Sequence, residues 1–154
     1  MTQDQFIARE CIRQTITNYT IAGDSRNAEL FSAQWTEDAT FEFADFPPLP
    51  SFRLVGLDAI RTRTTLWAKL PVDDPTLRSV SFVRHNITTC HIELTGKDTA
   101  AAKTYFIVMT DIGPDHAGNY SDSLVRRGER WLFAHRRIDL LWRSPNSCYP
   151  PVKR

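Results

Sequence analysis

The side chains best suited to acid–base chemistry in this sequence are Asp24 and His85. Asp24 follows Gly23 and precedes Ser25-Arg26-Asn27, at the junction of two predicted helices. There it reads either as the N-cap of the second helix or as a carboxylate that orients an imidazole. The readings are compatible, because a helix N-terminus keeps a carboxylate ionised and an ionised carboxylate accepts a hydrogen bond from a ring N–H. His85 lies in Ser81-Phe82-Val83-Arg84-His85-Asn86-Ile87, the middle of a predicted strand. Alternation puts it on one face with Val83 and Ile87, and Arg84 and Asn86 on the other. It is therefore either a core histidine with a satisfied hydrogen bond or a general base in an apolar pocket. The ordinary imidazole value near 6.5 suits the second role at neutral pH.

The other candidates are weaker. Tyr19, on the predicted first helix near Asp24, either packs in the core or points its hydroxyl into a pocket. His91 shares the face of His85 if the strand is regular and turns outward if a bulge intervenes. His116 falls in the stretch Gly113 to Gly118, read as a turn, and is expected to be exposed. His135 is mid-strand. None of the four histidines has metal-ligand spacing, so no metal site is expected. The glycine signatures of dinucleotide binding, of phosphate loops and of serine hydrolases are missing, and no cofactor is expected. Cys11, Cys90 and Cys148 are odd in number and far apart, which argues against a disulfide framework.

The elements that must position these residues follow from periodicity. Residues 4–23 read as a helix opened by a Thr2/Gln5 capping box, with Ala8, Ile12, Ile16 and Tyr19 forming an apolar stripe and Gly23 as the stop. A second helix is predicted over 27–34 and a third over 57–69, with Ile60 and Trp67 facing inward. Short strands are expected at 40–43 and 52–55, separated by the proline-rich loop Asp45 to Ser51. From Ser79 onward the chain reads as four long strands (79–95, 99–112, 117–127 and 130–142), an antiparallel meander. Helices first and strands later indicate an α+β domain.

The 154 residues suffice for a single domain, 1–154, with a full core. Nineteen basic and 18 acidic residues leave a net charge of +1, so neither a nucleic-acid nor a membrane-surface partner is expected. No apolar run approaches the ~20 residues of a membrane span, and the first ten residues lack a signal core, so a cytoplasmic protein is expected. The sequons at Asn18, Asn86 and Asn119 then count as chance matches.

In order and spacing, several segments together resemble one family. They are Ile16-x-x-Tyr19-x-x-x-x-Asp24, Leu30-Phe31-x-x-x-Trp35-x-x-Asp38-Ala39-x-Phe41, Gly56-x-x-Ala59-Ile60, Arg84-His85-Asn86, Gly118-x-Tyr120-x-Asp122 and Arg127-Gly128-x-x-Trp131-x-Phe133. Over about residues 5–142 the chain resembles the SnoaL-like group of the nuclear transport factor 2-like superfamily, and within it scytalone dehydratase and hexachlorocyclohexane dehydrochlorinase. The resemblance implies a cystatin-like cone, a strongly curved mixed sheet with three N-terminal helices enclosing a pocket, assembled as a homodimer or homotrimer. It places Asp24 and His85 on the family's Asp–His pair and implies a β-elimination on a small hydrophobic cyclic substrate. Tyr19 would assist. Trp35, Phe41, Trp67 and Tyr120 would line the pocket, and Arg127 would help an anion leave. The proline-rich loop and the tail Ser144 to Arg154 could cover the mouth, and the tail could dock on a neighbouring subunit.

Two other functions fit the same resemblance. One is an isomerase or cyclase of the ketosteroid isomerase and polyketide cyclase kind, which does not need a histidine at position 85. The other is a non-catalytic small-molecule-binding or assembly module.

Overall fold

A computed structural model describes residues 1–69 and 81–147 of the chain. Helix α1 (Gln3–Asp24) opens on the expected capping box: the Gln5 amide donates to Thr2 Oγ1 at 3.3 Å, and the Thr2 amide donates to Gln5 Oε1 at 3.0 Å. Its buried stripe is Ile12, Thr15, Ile16, Tyr19 and Ala22. The Thr15 hydroxyl donates to the Trp131 carbonyl at 2.6 Å, which ties the helix to the sheet.

The end of α1 differs from the sequence expectation. Gly23 lies inside the last turn, and the left-handed residue is Arg26, with φ 55°. The Asn27 amide donates to the Ala22 carbonyl at 2.9 Å and the Arg26 amide to the Gly23 carbonyl at 3.2 Å. That crossed pair is a Schellman closure, which needs one left-handed residue and here takes it from an arginine. Asn27 then caps α2 (Ala28–Ser32), accepting the Leu30 amide at 2.9 Å. Asp24 is thus the last residue of α1 and not the N-cap of α2.

The remaining elements are β1 (Trp35–Phe43), β2 (Phe52–Val55), α3 (Leu57–Ala68), β3 (Val83–Leu94), β4 (Thr99–Thr110), β5 (Gly113–Arg127) and β6 (Arg130–Arg143). Strand β1 begins at Trp35 rather than Thr40. The predicted strand start at Ser79, and Cys148 and Tyr149 of the tail, lie outside the described residues. The proline-rich loop closes on itself through reciprocal Phe46 and Leu49 backbone bonds of 3.2 and 2.7 Å, with Leu49 buried.

The six strands form one mixed sheet in the order β2-β1-β6-β5-β4-β3. Strands β3 to β6 are the expected antiparallel meander, and β1 joins β6 in parallel. The sheet is open, with β2 and β3 at its edges. α1 packs on β3 and β6, and α3 on β1 and β2, so an α+β arrangement with three helices is what the chain adopts.

Register shifts decide which side chains face the helices. One falls between Ile87 and Cys90 on β3, and another lies opposite Ser123/Leu124 on β6. A bulge of one residue reverses the alternation beyond it. After the first, Cys90, Ile92 and Leu94 continue the inner row of Val83, His85 and Ile87, and His91 turns outward. The second brings Arg136 inward and leaves His135 outside. Gly118 sits at a third shift, where a Cβ would collide with the Asp139 carbonyl and lie 2.9 Å from Phe106 Cζ.

Candidate active site

The last residue of α1 and the third residue of β3 meet. His85 Nδ1 lies 2.6 Å from Asp24 Oδ1, and the His85 amide donates to the same carboxylate at 3.1 Å to Oδ2. Both groups are largely covered, with side-chain exposures of 12% for Asp24 and 24% for His85. One carboxylate therefore grips both the ring and the backbone of its partner, which fixes the ring's position and leaves Nε2 as the nitrogen for proton exchange.

The helix does not help this carboxylate. Asp24 stands at a C-terminus, where the helix dipole disfavours a negative charge, and the last turn carries no basic residue. Stability alone would put a lysine or a neutral cap here. What holds the carboxylate is His85, 61 positions away, through two N–H groups. A local preference is thus broken here in favour of a long-range polar contact, which makes Asp24 a candidate functional position.

A second carboxylate–imidazole pair stands beside the first. His116 is buried on β5 rather than exposed in a turn, because β5 starts at Gly113 and the turn is confined to Asp111-Ile112. Its Nδ1 lies 2.7 Å from Oδ1 of Asp115, which is fully buried. The Asp115 carboxylate also accepts the Ser147 hydroxyl at 2.6 Å and the Thr110 hydroxyl at 3.2 Å. Burial pushes the His116 imidazole below its ordinary value, the Asp115 bond pulls it back, and the nearby Arg143 charge adds to the fall. The described part of the tail thus packs on the start of β5, beside His116.

Phe106 of β4 stands beside both pairs, its ring 6.3 Å from each histidine ring, and stacks on Tyr120 at 4.4 Å. Tyr120 is fully buried, which holds its phenol well above the ordinary range. Tyr120 leads into an aromatic cluster containing Tyr19, Phe31, Trp35, Phe41 and Phe133, with Tyr19 5.9 Å from Tyr120 and 4.7 Å from Phe31. Tyr19, Trp35 and Phe41 sit inside this cluster as core residues. At its centre is Arg136, fully buried, with its guanidinium carbon 4.1 to 4.2 Å from the ring centres of Tyr19, Tyr120 and Phe133. Nε and Nη2 of Arg136 each donate to Asp122 at 2.7 Å. Burial works against the guanidinium's charge, but the Asp122 carboxylate outweighs it, so Arg136 keeps its proton.

Arg127 is elsewhere. It lies at the far end of β5, exposed, donating to the Arg126 carbonyl at 3.2 Å. Eleven residues of strand, roughly 30–35 Å, separate it from His116. The side chain of Trp67, on α3, lies outside the described residues. The sequence reading missed Asp115, His116, Ser147 and the Asp122–Arg136 pair. The adjacent Asp115-His116 was the available signal for the first two, and the turn assignment concealed it.

Comparison with known proteins agrees with the fold. The SnoaL-like domain family matches residues 4–137. The chain belongs to that family. A candidate scytalone dehydratase from Novosphingobium aromaticivorans superposes on this SnoaL-like chain with a TM-score of 0.73 at 18% identity, covering 94% of this chain and 91% of that one. A hexachlorocyclohexane dehydrochlorinase (LinA type 2) gives 0.68 at 15% identity, covering 92% and 90%. A nuclear transport factor 2-like protein with a cystatin-like fold, also from N. aromaticivorans, gives 0.68 at 23% identity, covering 90% and 85%. Among curated proteins none matches. At these identities the structural likeness establishes the cystatin-like fold of this SnoaL-like domain. Among the described residues no helix is long and apolar enough to cross a membrane, and no cluster of three or more metal-ligating side chains occurs.

Proposed function

We propose that the protein is a cofactor-independent lyase that carries out a β-elimination on a small hydrophobic ring compound. The observation that carries this reading is the 2.6 Å contact between His85 Nδ1 and an Asp24 carboxylate that the same residue's amide also holds. In the elimination, His85 Nε2 takes a proton from a substrate carbon. The C–H electron pair becomes the new double bond, and the group on the neighbouring carbon leaves with its bonding electrons. Asp24 keeps the Nδ1 proton in place and stabilises the imidazolium. The imidazolium then returns its proton to the departing group or to water. Phe106, whose ring lies 6.3 Å from that of His85, gives the base an apolar neighbour suited to an apolar substrate. Tyr19 contributes to this reading only as part of the cluster behind Phe106.

Self-association belongs to the same proposal. Tyr105, Leu141 and Trp142 are large apolar side chains left exposed on the sheet, and they favour a homodimer or homotrimer. Sedimentation of the purified chain tests this directly.

The test of activity uses 3-hydroxycyclohexanone and a chlorinated cyclohexane as probes, followed by the ultraviolet absorbance of the alkene product. Turnover of either, lost in His85→Ala and in Asp24→Asn, supports the lyase. Turnover that His85→Ala leaves intact moves the function to an isomerase or cyclase that does not use this residue.

A further inference from the structure

The outer face of the sheet carries a carboxylate–imidazole pair that the elimination does not use. His135 Nε2 lies 3.1 Å from Glu42 Oε2. Arg53 of β2 holds the same carboxylate. The pair is partly covered, with side-chain exposures of 36% for His135 and 17% for Glu42. The hydrogen bond from His135 is the main cause that lowers the Glu42 carboxyl below its ordinary value of 4.5, so the acceptor is ionised at neutral pH. A ring that donates from Nε2 keeps its lone pair on Nδ1, where it is a base.

Strand β6 lies between β1 and β5. Glu42 therefore reaches His135 from one side, and Ser123 of β5 stands on the other, opposite His135 in register. The register shift beside Ser123/Leu124 turns His135 outward to meet it. Directly opposed residues of an antiparallel pair stand about 4.5–5.5 Å apart, and rotation about one bond brings a serine hydroxyl there within hydrogen-bond reach of the ring. Ser123 is exposed, and its partner on β4 is Ala101, whose methyl group leaves it uncovered. Ser123 and His135 both line a cavity of about 300 Å³ on this face, together with Ser121, Lys103, His91 and Glu93. Lys103 pairs with Ser121 and so stands diagonal to Ser123, about 7–8 Å away, a span its four-carbon stem covers.

We propose that Ser123, His135 and Lys103 form a second reactive centre, an acyl-accepting site for small unhindered carboxylic esters, with Glu42 as the positioning residue that holds the base. Ser123 Oγ attacks the ester carbonyl carbon while His135 Nδ1 takes the hydroxyl proton. Lys103 faces the oxyanion that develops on the carbonyl oxygen. The carbon–oxygen bond to the alcohol group breaks, and the imidazolium gives its proton to the departing alkoxide. Water then attacks the acyl-serine with the help of the same base, which releases the acid and restores the serine. The centre lies on the face of the sheet opposite to His85 and does not rest on the lyase reading.

The probes are p-nitrophenyl acetate and an alkyl fluorophosphonate, which reacts with activated serines, each used on the whole purified chain. Peptide mass spectrometry is expected to find the acetyl or phosphonyl group on Ser123. Release of p-nitrophenolate is expected to fall about a hundredfold in Ser123→Ala and in His135→Gln. Glu42→Met slows acylation about tenfold, the worth of one charge-assisted hydrogen bond, and lets the ring-nitrogen spectrum of His135 redistribute between tautomers. Glu42→Asp keeps part of both, which a merely structural role would not. Labels on Ser121, on lysine or histidine alone, or on no residue would overturn the proposal. So would p-nitrophenolate release within about threefold of the wild type in Ser123→Ala or His135→Gln. Circular dichroism checks the variants, and the labelling uses the unaltered chain, so the proposal can be refuted even where a variant does not fold.

Discussion

Asp24→Asn separates a catalytic carboxylate from a structural one, because the two roles predict different sizes of effect on rate and stability. If His85 becomes an imidazolium in the transition state, its charge lies about 4 Å from the Asp24 carboxylate, and at an effective dielectric of about 20 the attraction is about 4 kcal/mol. Losing it slows the elimination about a thousandfold. Stability responds in two opposing ways. The charge-assisted bond at 2.6 Å is replaced by a neutral one, a loss of roughly 1 kcal/mol. Removing an anion from the C-terminus of α1 returns about 0.3–1 kcal/mol. The net change in unfolding free energy is therefore within about 1 kcal/mol. Denaturant titration measures the stability, product absorbance gives the rate, and histidine ring-nitrogen spectra report whether the His85 tautomer redistributes as the mechanism requires. A rate within about threefold of the wild type would refute the orienting role. So would an unchanged His85 ring spectrum. A stability loss of about 3 kcal/mol or more would make the pair a strut between α1 and β3.

Three further outcomes follow from the structure. Arg136→Met leaves Asp122 buried without its partner and is expected to cost about 3–5 kcal/mol in denaturant titration, whereas the double change with Asp122→Leu recovers most of it. Gly118→Ala drives a Cβ into the Asp139 backbone and towards Phe106, a loss of at least about 1–3 kcal/mol seen as a lowered thermal midpoint. The His116 value is depressed on folding, so the unfolded chain binds the extra proton: stability is full above the unfolded value of 6.5 and falls as the pH drops below it towards the folded value. Thermal midpoints between pH 7 and pH 5 therefore decline in the wild type and flatten in His116→Gln. Glu42, lowered from 4.5 mainly by its His135 hydrogen bond, acts only below that window.

Much of the architecture was legible in the sequence. The capping box at Thr2, the stripe Ile12, Ile16 and Tyr19, the proline break after Asp45 and the glycine-punctuated long strands are local patterns that encode local geometry. Asp24 and His85 could be singled out by type and by resemblance, because each breaks the pattern around it. Their approach to 2.6 Å was not readable from 61 intervening residues, since it depends on how α1 packs across an edge strand. Single-residue register shifts also lay beyond the sequence. The shift opposite Ser123/Leu124 turns Arg136 into the core and His135 out of it, and alternation counted from Trp131 and Phe133 assigns them the other way. The start of β5 is the same kind of decision. Gly113-Pro114-Asp115 has the composition of a turn, but pairing with β4 draws it into the sheet and buries Asp115 and His116 beside His85. The sequence by itself determined which elements form and which residues are out of keeping with them. Only the tertiary structure decided which of those residues meet, because strand register and helix docking are set by contacts distant along the chain.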